Sequence, residues 1–525
     1  MSETTRLRMR LLGPQPTDTL WGWIGPLLIT GIAGFMRFWN LGQPGTLIFD
    51  ETYYVKQGVS LLRWGYERRT NETLTEPDKV FASGNPDVFL TTPDFVVHPP
   101  GGKWVIAIGE QLFGWTNPFG WRFSVAVLGT LSVLILARAA RRLFGSTLLG
   151  MTAGMLLAFE GHHFVHSRTG LLDLILMFFA LAAFAALLTD RDRSRGILAD
   201  RMAAASARPG FAESATARYG PWLGWRPWRL VAGISLGLAV STKWSGLYFM
   251  AVFGLMSVLW DLGARRAAGV QRWWVGTAIR DIPLATVIVV GSAGLVYLAS
   301  WTGWLRSTDA WDRTWGEQNP ADGIAAIVPD ALRGLWHYHR EMLDFHVGLN
   351  SHHVYMSNPW SWMIQGRPTS FFYEGPKLGE DGCTVEQCSK AITSLGTVSV
   401  WWAGTLALAV LIFRWALRRD WRAGAILAGF AGGYLPWFAF QDRTIYSFYT
   451  VAFVPWVVLA VTYVLGLILG PDDAPAGRRR LGLGILVGFV AVTVVLFVWF
   501  WPLYTAQVIP ESQWRDWHMW FPSWI

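Results

Sequence analysis

An acidic pair, Asp50-Glu51, follows the first long apolar run of the chain and is flanked by Phe49, Tyr53 and Tyr54. A carboxylate placed here could act as a general base that removes the proton from a hydroxyl nucleophile. Burial among the three aromatic rings would raise the pKa of such a carboxylate, which suits a base. The same pair also fits a structural role, as an N-cap before a helix that starts just after it. The sequence alone leaves both interpretations open.

Four basic residues lie at the ends of apolar runs: Arg37, Arg122, Arg168 and Lys243. Together they could hold a lipid phosphate and stabilise the charge that builds on it as a bound sugar leaves. The alternative for each is snorkelling, in which the charged head simply reaches the membrane surface. Asp173 lies inside the next apolar run, where an ionisable group is costly and has a functional or a polar structural role.

Histidines form two clusters. His162, His163 and His166 suit one helix face, but no acidic residue lies between them, so a zinc site is disfavoured. The second cluster, which could equally be an interfacial amphipathic segment, comprises His346, Asn350, His352 and His353.

The composition is that of a membrane protein. The 525 residues are 52% hydrophobic and only 15% charged, whereas soluble domains carry about 25% charged residues. The 33 tryptophans suit the membrane interface. The net charge of +8 fits Arg-rich cytoplasmic loops better than nucleic-acid binding.

The apolar runs predict an α-helical integral membrane protein with about eleven spans. The runs are 20–39, 121–143, 147–162, 171–189, 230–242, 244–260, 282–304, 394–413, 423–440, 447–469 and 481–501. With a cytoplasmic N-terminus every short inner loop is basic, as the positive-inside rule requires, and an odd count places the C-terminus outside. The least secure boundary lies around Lys243.

Two long polar segments fall on the outer side in this topology, residues 40–120 and 305–393, within a single membrane-embedded domain spanning 1–525. Catalytic and binding residues are often found in such loops, so we expect the functional site on the outer side. Cys383 and Cys388 lie in the second segment, an oxidising location, and we predict a local disulfide between them.

Several motifs, in order along the chain, resemble those of the protein O-mannosyltransferases, glycosyltransferase family 39, which have the GT-C fold. One motif alone would be weak, but the series is specific. The second large outer segment is too short for the β-trefoil domain of eukaryotic members, so the resemblance is to a bacterial, actinobacterial-type form. The motifs are Phe49-Asp50-Glu51, His98-Pro99-Pro100-Gly101-Gly102-Lys103 (with Gly101 where the family has Leu), Ser167 to Asp173, Ser241 to Leu247, Pro359 to Trp362, and Arg443 before Tyr446.

The resemblance implies an enzyme that moves mannose from a polyprenyl-phosphate-mannose donor to Ser or Thr hydroxyls of exported proteins. The expected reaction is a single inverting displacement at the outer face of the plasma membrane, with acceptors met at the secretion translocon. It needs no metal and no cofactor, and nucleic acid is not an expected partner.

The resemblance also implies roles for individual residues. Asp50 is the expected base, and Glu51 is expected to orient the acceptor or hold a neighbouring cation. The remaining substrate-binding candidates are Arg37, His98, Lys103, Arg122, Arg168, Asp173, Lys243, His346 and Arg443.

Two other functions are compatible with parts of the sequence. A related GT-C enzyme could move another lipid-linked sugar to a lipid or a cell-wall glycan. A transporter is disfavoured because the chain shows no internal repeat and because its charged candidates cluster at one membrane face.

Overall fold

The computed structural model describes residues 2–13 and 16–525 and is predominantly helical. Within this part of the chain, seven helices are long and apolar enough to cross a membrane. They are Pro118–Phe144, Leu172–Ser206, Gly246–Ala267, Trp273–Ser300, Val398–Arg418, Ser447–Leu469 and Ala476–Trp499. Each coincides with one of the apolar runs in the sequence.

The other four apolar runs fall on helices of 12 to 18 residues: Trp21–Phe38, Thr147–Ala158, Pro227–Thr242 and Trp421–Gly433. Two of these runs are interrupted. Thr147–Ala158 is followed by a separate short helix, Gly161–His166, and Trp421–Gly433 is followed by a 3-10 turn, Leu435–Ala439. Hydropathy registers the whole run as one segment because it does not detect a break in the backbone.

The helix Leu172–Ser206 lies at the centre of the bundle and packs against Pro118–Phe144 and Pro227–Thr242. Of its most apolar stretch, 72% is buried inside the protein, against 22% for Ala476–Trp499, which therefore lies at the periphery. Peripheral helices expose large apolar side chains such as Val287, Leu295 and Val495. Lipid tails are the natural environment for such a surface.

The Arg-rich stretch that follows the apolar run 171–189 is partly structured. The helix continues to Ser206, and Arg226 and Arg229 are buried against Asp190 and Asp261. Good helix formers such as Ala, Leu and Arg follow residue 189, which explains the extension. These ion pairs join three helices at one end of the bundle.

The first long polar segment, 40–120, is largely ordered. It contains the helices Glu51–Trp64, Pro77–Ala82 and Gly101–Phe113 and a two-stranded antiparallel sheet of Arg68–Thr70 and Phe89–Pro93. The helix Glu51–Trp64 buries one face and ends at Gly65, whose φ of 81° is in the left-handed region that glycine favours.

The second long segment, 305–393, supplies the amphipathic helix Asp330–Gly348 and two strands of an antiparallel sheet. The strands Thr369–Glu374 and Cys388–Ser394 pair with each other, and Val508–Pro510 from the C-terminal end completes the sheet. Cys383 and Cys388 form a disulfide, so the prediction made from their location is confirmed.

Candidate active site

A cavity of about 280 Å³ lies between the long polar segments and the helical bundle. Its wall combines charged groups with apolar side chains, among them Leu247, Tyr248 and Phe440. Five of the candidate residues line it: His98, Asp173, Lys243, His346 and Arg443. Residues far apart in the sequence thus meet in one site.

Lys243 directly follows the helix Pro227–Thr242, and its side chain faces Asp173 in the first turn of Leu172–Ser206. The ammonium lies 2.9 and 2.8 Å from the two carboxylate oxygens of Asp173. Both residues are almost completely buried. The ring of Tyr449 lies 5.4 Å from the same ammonium, so the cation is held in a fixed position at the cavity wall.

His346 orients Arg443. The Nε2–H of His346 donates to the carbonyl oxygen of Val97 at 2.7 Å, which leaves Nδ1 free to accept from the Arg443 guanidinium at 3.0 Å. Burial, with smaller contributions from Arg443 and Lys243, lowers the pKa of His346 to about 4. The imidazole is therefore neutral at physiological pH, and the ring of His98 stacks on it with 5.2 Å between centroids.

Asp50 occupies the N-cap position of Glu51–Trp64, but within the described residues its carboxylate makes no capping hydrogen bond to that helix. Burial raises the pKa of Asp50 to about 6. Lys243 and a hydrogen bond with Tyr54 act in the opposite direction, while Asp173 adds to the rise. Tyr54, one turn further along the same helix, has its ring 6.2 Å from that of His98 in the cavity wall, so Asp50 lies next to the cavity. The raised pKa of Asp50 suits a general base.

The backbone before Asp50 is strained. Phe49 has a φ of 49°, which is uncommon for a bulky residue. Its ring stacks on Phe371 with 4.4 Å between centroids and meets Phe448 edge-on at 5.2 Å. Packing from two distant segments thus holds the strained conformation that directs the Asp50 carboxylate, as is common at functional sites.

Glu51 faces the protein interior. It is fully buried, and Arg122 binds its two oxygens at 2.8 Å each. Its carboxylate also accepts from the backbone N–H groups of Ile48 and Gly170. Arg122 donates further hydrogen bonds to the carbonyl oxygens of the preceding loop at Leu41, Pro44 and Thr46. This pair ties the loop that carries Asp50 to two helices of the bundle.

Arg37 and Arg168 likewise point inward. Arg37 donates to His163 Nδ1 at 2.8 Å and to Ser167 Oγ at 3.2 Å. Arg168 donates to the carbonyl oxygens of Arg37, Trp39 and Asn40, among others. Their contacts tie the end of the helix Trp21–Phe38 to the segment 157–168.

Lys103 is fully buried in an ion pair with Glu67. The start of its helix, Gly101–Phe113, lies directly against Ser241 and Thr242. A Cβ added at Gly101 would come within 2.2 Å of Ser241 Oγ. The glycine pair therefore permits the close approach that brings the His98 loop next to Lys243.

The histidines of the first cluster take part in internal hydrogen bonds. His163 joins Arg37 to Ser132, and His162 and His166 both contact Ser394. Glu160 accepts from the N–H groups of His162, His163 and Thr397 and from the Trp401 indole.

Sequence reasoning missed Glu160 and Glu67. An acid inside an apolar run is a recognisable signal for Glu160, since such a group needs buried partners. Glu67 lies in a polar segment and lacks a comparable signal.

The fold and the site together define a class of protein. The fold aligns with the Saccharomyces cerevisiae protein O-mannosyltransferase Pmt1-Pmt2 complex bound to the sugar donor, with a TM-score of 0.68 and 16% sequence identity, covering 100% of this chain and 94% of the yeast chain. The chain has the membrane-embedded GT-C fold.

Sequence comparisons give the family. Residues 27–298 match the dolichyl-phosphate-mannose-protein mannosyltransferase family, and residues 331–524 match the C-terminal four-helix region of protein O-mannosyltransferases. The chain belongs to the protein O-mannosyltransferase family, as its motifs predict.

Two relatives are similar over nearly their whole length, and both are named polyprenol-phosphate-mannose--protein mannosyltransferase. The protein of Mycolicibacterium smegmatis strain MKD8 is 41% identical, covering 97% of this chain and 94% of the relative. The protein of Mycobacterium tuberculosis strain H37Rv is 40% identical, covering 97% and 93%.

Proposed function

We propose that this enzyme transfers mannose from polyprenyl-phosphate-mannose to Ser or Thr hydroxyls of exported proteins in a single inverting displacement. The observation that carries the proposal is a buried carboxylate of raised pKa, Asp50, next to a cavity that the cations Lys243 and Arg443 line. The names of the mycobacterial relatives support the donor and the acceptor class.

Lys243 and Arg443 bind the donor phosphate, and the apolar wall at Leu247 and Phe440 receives the start of the lipid chain. Asp50 accepts the proton of the acceptor hydroxyl as its oxygen bonds to C1 of mannose. The bond from C1 to the phosphate oxygen breaks at the opposite face, and its electron pair leaves on the phosphate. The two cations stabilise that negative charge, which grows in the transition state.

Glu51 and Arg122 hold Asp50 in place, and His346 holds Arg443. His98 lines the cavity beside His346, and Arg37, Arg168 and Lys103 support the same site from the interior. Asp50, Lys243 and Arg443 contact the reacting groups, whereas Glu51 does not contact them and acts by holding Asp50 in place.

The proposed topology has eleven spans in a single domain, 1–525, with the four shorter helices completing the seven long ones. The N-terminus lies in the cytoplasm, and segments 40–120 and 305–393 and the C-terminus lie outside the plasma membrane. The basic inner loops support this orientation, and so does the disulfide in the second segment. A reporter that is active only in the cytoplasm should be silent when fused after Ile525. An active reporter would show that the C-terminus lies in the cytoplasm and would contradict this topology.

The deciding experiment supplies purified enzyme in nanodiscs with polyprenyl-phosphate-[³H]mannose and a peptide rich in Ser, Thr, Pro and Ala. Labelled peptide is expected from the wild type and not from Asp50→Asn. A parallel reaction offers another lipid-linked sugar with a lipid-glycan extract as acceptor. Transfer only in the parallel reaction would overturn the proposal in favour of a related GT-C transferase.

A further inference from the structure

Three potential metal ligands meet outside the cavity, in the second long polar segment. Asp312 lies in the turn before the short helix Trp315–Gln318, and His337 and Glu341 lie one turn apart on the helix Asp330–Gly348. His337 Nε2 is 3.4 Å from Asp312 Oδ2 and 3.9 Å from Glu341 Oε1. One ligand atom from each of the three residues lies within 4.8 Å of the other two, which is close enough for all three to bind one ion.

Two of the side chains are oriented by a neighbour, and the third belongs to a residue in a constrained turn. The Trp311 indole N–H donates to Glu341 Oε2 at 3.0 Å, which leaves Oε1 directed towards His337. The His337 ring stacks on Trp315 with 4.2 Å between centroids and 7° between planes. Asp312 has a φ of 52°, in the left-handed region, and its carbonyl accepts from the N–H of Trp315.

Such outer contacts are what metal sites use to fix the orientation of their ligands. Here they are built from a strained turn and two tryptophans, which a simple solvent-exposed cluster would not require. Two carboxylates close to a single imidazole also leave an excess of negative charge, which a dication would neutralise.

We propose that Asp312, His337 and Glu341 bind one Zn²⁺ ion, with a water molecule as the fourth ligand. Tetrahedral zinc with bonds of about 2.0–2.1 Å to nitrogen and oxygen separates its ligand atoms by roughly 3.3 Å. The observed 3.4 and 3.9 Å require only small side-chain movements to reach that geometry. One nitrogen with two carboxylates suits Zn²⁺ better than Ca²⁺, which takes six to eight oxygen ligands.

The position of the site gives it a structural role. The same helix carries His346, which orients Arg443 at the cavity. His346 lies nine residues after His337, about two and a half turns along the helix and on its opposite face. The ion would therefore anchor the outer face of the helix whose inner face forms the cavity wall, and it would take no part in the transfer itself.

Zinc binding is tested on the full-length protein in nanodiscs, purified without a His tag and stripped with a chelator. Calorimetric titration with Zn²⁺ should show one site per chain. His337→Ala should weaken binding by at least about tenfold. The matched control is His352→Ala, which removes an exposed histidine of the same segment and should leave binding unchanged. The proposal is overturned if the wild type binds no zinc or if His337→Ala binds it as the wild type does.

A second measurement keeps the test independent of folding defects. Glu341→Gln preserves size, and its melting temperature without metal should match that of the wild type. Added Zn²⁺ should raise the melting temperature of the wild type and not that of Glu341→Gln, because a ligand that binds only the folded state stabilises it. An equal rise in both proteins would contradict the site. Trp311→Phe keeps all three ligands and should weaken zinc binding about 10- to 100-fold.

Discussion

The Lys243 ammonium is bound by both carboxylate oxygens of Asp173, at 2.9 and 2.8 Å, in the wall of the cavity. Lysine carries its charge as a point on a flexible stem, and it needs an anchor to present that charge in a fixed place. Asp173 is that anchor. The pair leaves the ammonium facing the cavity, where an incoming phosphate can share it.

Lys243→Met should raise the KM for the lipid donor more than the KM for the acceptor peptide, because only the donor carries a phosphate. Asp173→Asn keeps the lysine charge but loosens its position, so its effect on donor KM should be smaller. Initial rates with each substrate varied in turn measure both quantities. Equal losses in the two KM values for Lys243→Met would assign the lysine a structural role only.

Asp50→Asn should lower kcat about 100- to 10,000-fold, the usual cost of losing a general base. The amide keeps the size of the side chain, so donor binding and the melting temperature should stay close to those of the wild type. Single-turnover transfer and binding of labelled donor separate the two effects. Transfer by Asp50→Asn at a rate near that of the wild type would assign the base to another residue.

The pH profile follows from the pKa of Asp50, which burial raises to about 6. The base works only when ionised, so kcat/KM should be nearly constant above pH 7. Below pH 6 it should fall about tenfold per pH unit, as expected for a single ionisation. An ordinary exposed aspartate would place this fall near pH 4. A profile that stays flat down to pH 5 would show that Asp50 is not the titrating group.

The sequence alone predicted the apolar helices, because hydropathy is a local signal. Lys243 and Asp173 were candidates from their places in the apolar runs, and the family resemblance implied His98, His346 and Arg443 as well. It did not predict which arginines face the cavity. Arg37, Arg122 and Arg168 lie at helix ends just as Lys243 does, yet backbone carbonyls and Glu51 hold them in the interior. The difference depends on tertiary contacts between segments more than 70 residues apart.

The strained backbone conformation of Phe49 could not be predicted from the sequence either. Phe371 and Phe448 hold it in place, and both come from distant parts of the chain. The order within segments 40–120 and 305–393 was also missed, since short strands between turns give little periodic signal.

Gly101 offers a test of the packing that brings the His98 loop to Lys243. A Cβ here would meet Ser241 Oγ at 2.2 Å, Ser241 Cβ at 2.7 Å and the Ser241 carbonyl oxygen at 2.8 Å. Gly101→Ala should therefore lower the melting temperature and the transfer rate together. The control is Gly31, which lies in the helix Trp21–Phe38 and has nothing within 4 Å of an added Cβ. Gly31→Ala should be neutral or slightly stabilising in the same thermal melts.

Glu51 and Arg122 provide the sharpest contrast with Asp50, because the two adjacent acids have different surroundings. Removing one partner of a fully buried ion pair typically costs about 3–5 kcal/mol, since the other charge is left uncompensated. Glu51→Gln and Arg122→Met should each lower the melting temperature markedly, whereas Asp50→Asn should not.

The double variant Glu51→Gln/Arg122→Met removes both charges, so its loss of stability should be smaller than the sum of the single losses. Thermal melts of the four proteins, wild type included, give the coupling directly. Additive losses, or a destabilisation of Asp50→Asn as large as that of Glu51→Gln, would contradict the assignment of Glu51 as the residue that positions Asp50.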